Sequence, residues 1–240
     1  MGKLTPREDG APWRNFYGRR RGKTLRKGQQ ALLEDRLPAL SPPGVLWASN
    51  PERAPVDFNA MAPAAREVWL EIGFGGGEHL LAMAAANPDV LLIGCEPFVN
   101  GVAMCLSALE TTPLENVRIH AGDAREIFDV ARDGAFARIF VNYPDPWPKT
   151  RHHDRRFIGP ANLPHLARIA APGARLHVAS DIPDYIRHSL EALRARPEFR
   201  WTAEGPADWR RPWADWPGTR YEAKALREGR TPCYLTFTRR

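Results

Sequence analysis

The sequence has few cysteines and no long apolar segment. Its 240 residues include three cysteines, Cys95, Cys105 and Cys233, and no Cys-x-x-Cys pair. An odd set without such a pair argues against a disulfide framework and a zinc site, and is typical of free thiols in a reducing compartment. Apolar runs such as Val90–Cys95 are far too short to cross a bilayer. No apolar stretch typical of a secretory signal follows the basic N-terminus, so we expect a cytoplasmic protein that uses neither membrane nor metal.

Basic residues are concentrated at the N-terminus. Residues 1–30 hold nine Lys and Arg residues against Glu8 and Asp9, in a chain whose net charge is +6. A Gly-rich, charged segment with few aliphatic side chains buries too little surface to offset its ordering entropy. We therefore expect residues 1–30 to form a flexible arm. Such arms either bind polyanions or serve as solvated tails, and charge alone leaves both interpretations open.

Beyond a Pro-rich linker or helical lead-in at residues 31–65, apolar runs alternate with Ala/Leu-rich amphipathic segments. The runs predict strands at Val68–Gly73, Val90–Glu96, Val117–Asp123, Ala137–Asn142, Ala174–Asp181 and Cys233–Thr238. The intervening segments predict helices at Glu78–Ala86, Val99–Leu109, Ala124–Arg132, Ala161–Ala171 and Pro183–Ala195. This alternation predicts one α/β domain over residues 66–240, with a mostly parallel twisted sheet and helices on both faces.

A glycine-rich loop follows the first predicted strand. It has the sequence Glu-Ile-Gly-Phe-Gly-Gly-Gly-Glu over residues 71–78, and its glycines permit close approach of a ligand to the backbone. Glu78 stands where the dinucleotide fingerprint needs a small residue, and a carboxylate there would repel a pyrophosphate, which disfavours NAD. Glu71, two residues before the first glycine, suits a cofactor with a positively charged amino-acid end. S-adenosylmethionine is such a molecule.

Two further acids end the next two predicted strands. Glu96 is placed to accept both hydroxyls of a ribose, and Asp123 is placed to accept from an adenine amino group. Each acid taken alone is better explained as a helix N-cap or a solvated loop carboxylate. Acids in register on three successive strands favour a cofactor site. The predicted cofactor-binding residues on these strands are Glu71, Gly73, Gly75, Glu96, Asp123 and Ala124.

The loop after the fourth predicted strand contains prolines at three alternate positions within residues 142–149. Prolines fix φ and remove amide donors, so the loop should be stiff and should present Asp145 and Trp147 rigidly. A carboxylate and an indole beside a methyl donor form a cradle for a flat base; the alternative is a core tryptophan and a turn-capping aspartate. The residues that follow are suited to phosphates that flank the base, and comprise Lys149, Arg151, His152, Arg155 and Arg156.

Residues 71–78, residues 144–156 and Thr219–Glu222 together resemble the bacterial tRNA (guanine-N7)-methyltransferases, and the similarity covers most of the chain from about Phe16. The resemblance implies a Rossmann-like class I methyltransferase fold with an antiparallel last strand. It also implies an S-adenosylmethionine-dependent enzyme that methylates guanine 46 in the variable loop of tRNA. The site residues it implies are Glu71, Glu96, Asp123 and Asp145 for the cofactor, Asp145 for catalysis, and Lys149, Asp181, Thr219, Arg220, Tyr221 and Glu222 for tRNA.

Alternatives remain at this stage. An exocyclic-amine RNA methyltransferase would carry adjacent prolines after the fourth strand, where Asp145 here separates two of them. A non-catalytic RNA-binding protein of the same fold would not need the three strand-end acids. Glu222 can instead pair locally with Lys224 or Arg220. The sequence leaves monomer and homodimer open, and assigns no role to the Trp-rich segment Trp209–Trp216.

Overall fold

The structure, a computed structural model, describes residues 14–240 and contains one seven-stranded sheet. Its strands are β1 (Glu67–Ile72), β2 (Val90–Cys95), β3 (Val117–His120), β4 (Phe136–Asn142), β5 (Ala170–Ser180), β6 (Phe199–Trp201) and β7 (Cys233–Arg239). The strand order is β3-β2-β1-β4-β5-β7-β6. Strands β1 to β5 are parallel, whereas β7 runs antiparallel to both β5 and β6. The predicted α/β fold with an antiparallel last strand is confirmed.

Helices surround this sheet. They are α1 (Lys27–Asp35), α2 (Leu37–Leu40), α3 (Glu78–Ala86), α4 (Val99–Thr111), α5 (Ala124–Val130), α6 (Leu163–Ile169), α7 (Pro183–Arg194), α8 (Ala207–Arg210) and α9 (Arg220–Arg227). Short 3-10 turns occupy Trp47–Ser49, Asn59–Met61 and Thr150–Arg155. Within the described residues, no helix is long and apolar enough to cross a membrane.

The boundary between α6 and β5 differs most from the predicted one, and other predicted ends differ by up to three residues. The helix predicted over Ala161–Ala171 ends at Ile169, and Pro172 and Gly173 lie inside β5. The pairing of β5 with β4 shifts register between Phe136 and Arg138. Proline cannot donate a ladder hydrogen bond, so this pair interrupts the sheet rather than ending the helix.

Alternating side chains of β1 separate two apolar clusters. Val68, Leu70 and Ile72 belong to the cluster that includes residues of α5, α6 and α7. Trp69 belongs to the cluster that includes residues of α3 and α4. Successive strand residues face opposite sides of a sheet, so Glu71 shares the side of Trp69 and of helix α3. The side of the sheet on which Glu71 lies therefore determines which side chain it contacts.

The N-terminal segment contacts the domain. Residues 1–13 of the predicted arm lie outside the described residues. The Val99 amide donates to the Arg20 carbonyl at 3.0 Å, and the Gly22 amide donates to Asn100 Oδ1 at 2.7 Å. The Arg14 guanidinium is 2.7 Å from the Asp129 carboxylate. Residues 14–23 therefore run along the domain before α1 begins, and the mobility of the arm stays a prediction.

Candidate active site

A cavity of about 510 Å³ opens at the carboxyl ends of the central strands. Strand β1 lies between β2 and β4, and the chain order reverses there. Parallel α/β sheets bind their ligands at such a switch point, because the loops on either side diverge. The cavity walls include the glycine loop, the ends of β2 and β4, the proline loop, the start of α5, and residues 15–19 of the N-terminal segment.

The glycine loop packs closely against helices α4 and α9. Gly77 ends it with φ 85°, and a Cβ at this position would lie 2.5 Å from Cys105 Sγ on α4. Gly75 has φ 59°, and a Cβ there would lie 3.3 Å from the ring of Tyr221 on α9. Left-handed φ and close neighbours together require glycine at both positions. Gly73 and Gly75, both predicted as cofactor contacts, line the cavity.

Glu71 lies behind this loop and not in the wall of the cavity. Its carboxylate is buried, and Oε2 is 2.8 Å from Nδ1 of His79 on α3. The buried pair follows from the side of β1 on which Glu71 lies. A direct contact between Glu71 and a cofactor remains a prediction, since the structure gives its carboxylate a protein partner instead.

Glu96 forms part of the cavity wall and is 7% exposed. Its carboxylate accepts hydrogen bonds from the Gly75 amide at 2.7 Å and from the Phe98 amide at 2.8 Å. Burial raises the pKa of Glu96 to about 6, and the nearby charge of Asp145 adds to this shift, while the two amide bonds oppose it. The carboxylate is therefore held rigidly at the end of β2, and each oxygen keeps a lone pair for a further donor.

Asp123 caps helix α5. It accepts from the Arg125 amide at 2.9 Å and from Arg125 Nε at 3.0 Å, and Arg125 also donates to the Asn15 carbonyl at 2.8 Å. Burial alone would raise the pKa of the Asp123 carboxyl, but its hydrogen bonds with Arg125 outweigh burial and lower it. Asp123 and Ala124 both line the cavity. One arginine thus connects the third strand-end acid to the N-terminal segment.

The proline loop presents Asp145 at the cavity and exposed to solvent. Tyr143 (φ 49°) and Trp147 (φ 41°), on either side of it, adopt the left-handed conformation that only glycine takes without strain. The buried side chain of Arg156 donates from Nε to the Pro146 carbonyl at 2.9 Å and also pairs with Asp184. Arg156 therefore fixes the loop in this structure, and its predicted phosphate contact remains a prediction.

Trp147 lies in the cavity wall rather than in either apolar cluster. Its ring meets Tyr17 edge to face, with centroids 6.1 Å apart. The Arg155 guanidinium lies 4.3 Å from the Tyr17 ring and 5.2 Å from the Trp147 ring. The His152 ring contacts Trp147 edge to face at 5.9 Å. An aromatic and cationic rim therefore borders Asp145.

Lys149 and Arg151 follow this rim. Both are exposed, at the start of the 3-10 turn after the proline loop. Salt bridges involve Arg156 but neither of these two residues within the part of the chain that the structure describes. Their exposed charges are available to a phosphate, and this role stays a prediction.

The segment Thr219–Glu222 forms the first turn of α9, beside the glycine loop. The Thr219 hydroxyl caps the helix by accepting from the Glu222 amide at 3.1 Å. Arg220 Nε donates to Glu78 Oε1 at 2.6 Å, and Tyr221 lines the cavity. Glu222 accepts from Trp216 Nε1 at 2.8 Å and from the Tyr234 hydroxyl, rather than pairing with Lys224 or Arg220.

Asp181 lies apart from the cavity wall. Its carboxylate pairs with Arg230, which also pairs with Glu228. The structure therefore brings Gly73, Gly75, Glu96, Asp123, Ala124, Asp145, Trp147, Arg155, Arg156 and Tyr221 to one cavity. It does not bring Glu71, Lys149, Arg151, His152, Asp181, Thr219, Arg220 or Glu222 to the wall of that cavity.

Two side chains and one segment of the candidate site are not predicted from the sequence. His79 is the partner of Glu71, Arg125 is the partner of Asp123, and Asn15, Phe16, Tyr17, Gly18 and Arg19 line the cavity. The Asp-Ala-Arg sequence at the start of α5 carries an N-cap signal that pointed to Asp123, though not to Arg125. The N-terminal segment has no periodic pattern that could have revealed its position. Among residues 14–240, no group of three or more His, Cys, Asp or Glu is arranged to hold a metal.

Solved structures share this fold at low sequence identity. The 16S rRNA methyltransferase KamB superposes with a TM-score of 0.55 at 16% identity, over 76% of this chain and 92% of its own. A structure described as an antibiotic-related methyltransferase superposes with a TM-score of 0.50 at 16% identity, over 78% of this chain and 96% of its own. At such identities the likeness concerns the fold, which is that of class I methyltransferases.

Sequence comparison gives a closer relation. The family model Methyltransf_4, described as "Putative methyltransferase", matches residues 65–235. A tRNA (guanine-N(7)-)-methyltransferase of Ruegeria sp. (strain TM1040) is 59% identical over 96% of this chain and 89% of its own length. A protein of the same name from Ruegeria pomeroyi is 55% identical over 100% of this chain and 99% of its own. The chain therefore belongs to the family of bacterial tRNA (guanine-N7)-methyltransferases.

Proposed function

We propose that this protein transfers a methyl group from S-adenosylmethionine to N7 of guanine 46 in the variable loop of tRNA. The observation that carries the proposal is one cavity at the switch point, whose wall contains the buried Glu96, the partly buried Asp123 and the exposed Asp145. The names of the relatives support guanine N7 of tRNA as the target. The position within tRNA follows from the resemblance of the sequence motifs.

The residues of the cavity suit S-adenosylmethionine. Glu96 is anchored by two backbone amides, so its remaining lone pairs can accept the two hydroxyls of a ribose. The Ala124 backbone and the Asp123 carboxylate border the place for the adenine, and Gly73 and Gly75 allow the amino-acid end to approach the backbone. When bound, this cofactor supplies a methyl group activated by a positively charged sulfur.

Methyl transfer to guanine N7 does not require a proton to be removed first. Guanine N7 carries an exposed lone pair on the major-groove edge, so the nucleophile needs no general base. The rate then depends on placing N7 about 3 to 3.5 Å from the methyl carbon and on stabilising the purine as it becomes cationic. Asp145 is the acid on the cavity rim suited to both tasks, because its carboxylate can accept from the guanine edge and carries the opposite charge.

The rim around Asp145 suits a base that has left its stack. Trp147 offers a ring face or edge to a purine, with stacking worth about 1 to 3 kcal/mol. Extruding a nucleotide from folded RNA costs a few kcal/mol, which contacts with the flanking phosphates must offset. Lys149 and Arg151 are exposed beside the rim and supply such contacts.

The test is incubation with unmodified tRNA and labelled S-adenosylmethionine, followed by borohydride and aniline treatment, which cleaves RNA at N7-methylguanosine. A single cleavage at guanine 46 is the expected result. Label on the tRNA without cleavage would favour an exocyclic-amine methyltransferase. Binding of tRNA without any transfer, together with no binding of labelled cofactor in equilibrium dialysis, would favour a non-catalytic RNA-binding protein.

A further inference from the structure

The segment between β6 and α9 contains three tryptophans that the proposed function does not use: Trp209, Trp213 and Trp216. Trp213 and Trp216 meet edge to face, with ring centroids 5.0 Å apart. Asp215 accepts two hydrogen bonds, at 2.5 and 3.0 Å, from the buried guanidinium of Arg138 on β4. Arg138 pairs in register with Trp69 of β1 and lies over its ring. This ion pair therefore holds the segment on the same side of the sheet as Glu71.

Trp216 contacts two parts of the candidate site at once. Its Nε1 donates to Glu222 Oε2 at 2.8 Å, in the first turn of α9. Its ring lies 5.0 Å, centroid to centroid, from the imidazole of His79, the residue that contacts the carboxylate of Glu71. One indole thus touches the residues behind the glycine loop on one side and the helix that covers the loop on the other.

The first turn of α9 limits the space over the glycine loop. A Cβ at Gly76 would lie 1.6 Å from the Arg220 guanidinium, and a Cβ at Gly75 would lie 3.3 Å from the Tyr221 ring. Tyr221 also stacks on Tyr143, with centroids 6.3 Å apart, in the cavity wall. A small displacement of this turn would therefore change the shape of the cavity where the glycine loop faces it.

We propose that Trp216 is a positioning residue for the cofactor. Its hydrogen bond to Glu222 fixes the turn of α9 that carries Tyr221. Its ring contact with His79 supports the imidazole that pairs with Glu71, on the other side of the glycine loop. Loss of its N–H leaves one oxygen of a partly buried carboxylate without its donor, and the first turn of α9 is then less firmly fixed. The inference rests on the proposed function only in taking S-adenosylmethionine as the ligand of the cavity.

Trp213 provides a matched control in the same aromatic cluster. Its Nε1 is buried and has no hydrogen-bond partner among the residues that the structure describes. Trp213→Phe and Trp216→Phe each replace an indole by a phenyl ring, but only Trp216→Phe removes a hydrogen bond to a carboxylate. A difference between the two variants therefore reports that bond and not the loss of ring area.

The experiment is calorimetric titration of S-adenosylmethionine into both variants and the unchanged protein, with steady-state kinetics on tRNA and thermal unfolding. We expect the Kd and KM for the cofactor to rise about tenfold in Trp216→Phe and less than about twofold in Trp213→Phe, with Tm alike in both. Equal cofactor affinities in the two variants would overturn the positioning role. Failure of the unchanged protein to bind the cofactor would instead refute the proposed function.

A second variant covers the case in which Trp216→Phe does not fold. Tyr234→Phe removes the other donor to the Glu222 carboxylate and leaves the Trp-rich segment intact. A weaker effect in the same direction, about threefold on the Kd for S-adenosylmethionine, is expected. In Glu222→Gln the carboxylate is gone, so adding Tyr234→Phe should weaken binding by less than it does alone. A Tyr234→Phe protein with unchanged cofactor affinity would count against the role of this carboxylate.

Discussion

The cavity wall and the surface beside it are built differently. In the wall, the carboxylates of Glu96 and Asp123 are each held by hydrogen bonds from their own neighbourhood. Beyond the rim, the side chains of Lys149 and Arg151 are exposed. Groups held in place before binding lose little entropy when the ligand arrives, whereas exposed groups are ordered only by the ligand. The difference suggests a pocket prepared for a small cofactor beside a surface that RNA completes.

The largest effect is expected at the exposed acid. Asp145→Asn keeps the shape of the side chain but removes the negative charge that we propose stabilises the purine as it becomes cationic. We expect the single-turnover rate at saturating tRNA to fall by about 10²- to 10³-fold, with tRNA affinity nearly unchanged. Asp133→Asn, an acid 81% exposed and paired with Arg168, is the control and should react at the normal rate. Normal chemistry in Asp145→Asn would remove any essential role for its charge.

The next effect is expected at the buried acid. Glu96→Ala removes the proposed acceptor for the ribose hydroxyls and also leaves the Gly75 and Phe98 amides without their partner. We expect KM for S-adenosylmethionine to rise by roughly 10- to 100-fold, since hydrogen bonds to charged groups are worth about 1.5 to 3 kcal/mol. Glu110→Gln, an exposed acid on α4, should leave KM unchanged. An unaltered KM in Glu96→Ala would show that the cofactor does not use this wall.

A smaller effect is expected at the exposed cations. Replacing Lys149 and Arg151 together by alanine should weaken tRNA binding several-fold at moderate salt. The slope of log K against log salt concentration should become less steep by about 2. The kcat at saturating tRNA should not change. Arg175→Ala, an exposed arginine in the middle of β5 that does not line the cavity, is the control. If the slope is the same in all proteins, phosphates do not meet these two residues.

The smallest effect is a pH dependence that separates Glu96 from Asp123. The pKa of Glu96 is raised to about 6, whereas that of Asp123 is lowered, so only Glu96 gains a proton between pH 7 and pH 5. A protonated Glu96 is a poorer acceptor, and cofactor affinity should therefore fall by a few-fold as the pH drops through 6. Affinity that stays flat to pH 5 would contradict this.

Folding stability should respond to Glu96 in the opposite sense. Its folded pKa lies above the ordinary value of 4.5, so folding favours the protonated form. The stabilisation from protonation is complete below pH 4.5 and is lost as the pH rises through 6. Asp123, with a lowered pKa, contributes stability that is present above its ordinary value of 3.8 and is lost in more acidic solution. Thermal unfolding of Glu96→Gln across this range separates the two contributions.

The sequence was most informative where a local pattern determines the structure. Apolar runs followed by a turn or loop signal placed β1, β2 and β4 within one residue of their observed ends. Strand β6 has three residues, too few for a periodic signal, and the sequence analysis predicts no helix at the eight residues of α9. Propensity acts over a few neighbouring residues, so both elements depended on contacts that the sequence does not show.

The same division holds for the site. The motif identified Glu96, Asp123 and Asp145, which the structure brings to one cavity. It did not reveal that Arg156, placed among the phosphate-binding cations, is buried against the proline loop. A basic residue beside a motif is equally compatible with either role, because burial is a property of the whole fold. Only the tertiary structure distinguishes the cation that meets solvent from the one that meets a carbonyl.

The left-handed bends at Tyr143 and Trp147 strain the backbone of the proline loop, which Arg156 holds in this shape. Each left-handed residue stores about 1 to 2 kcal/mol that a relaxed loop would release. The guanidinium of Arg156 donates a hydrogen bond to the Pro146 carbonyl, which lies between the two bends. The position of Asp145 therefore depends on a neighbouring side chain, and we expect a substitution that removes the Arg156 guanidinium to displace Asp145 while leaving the sheet intact.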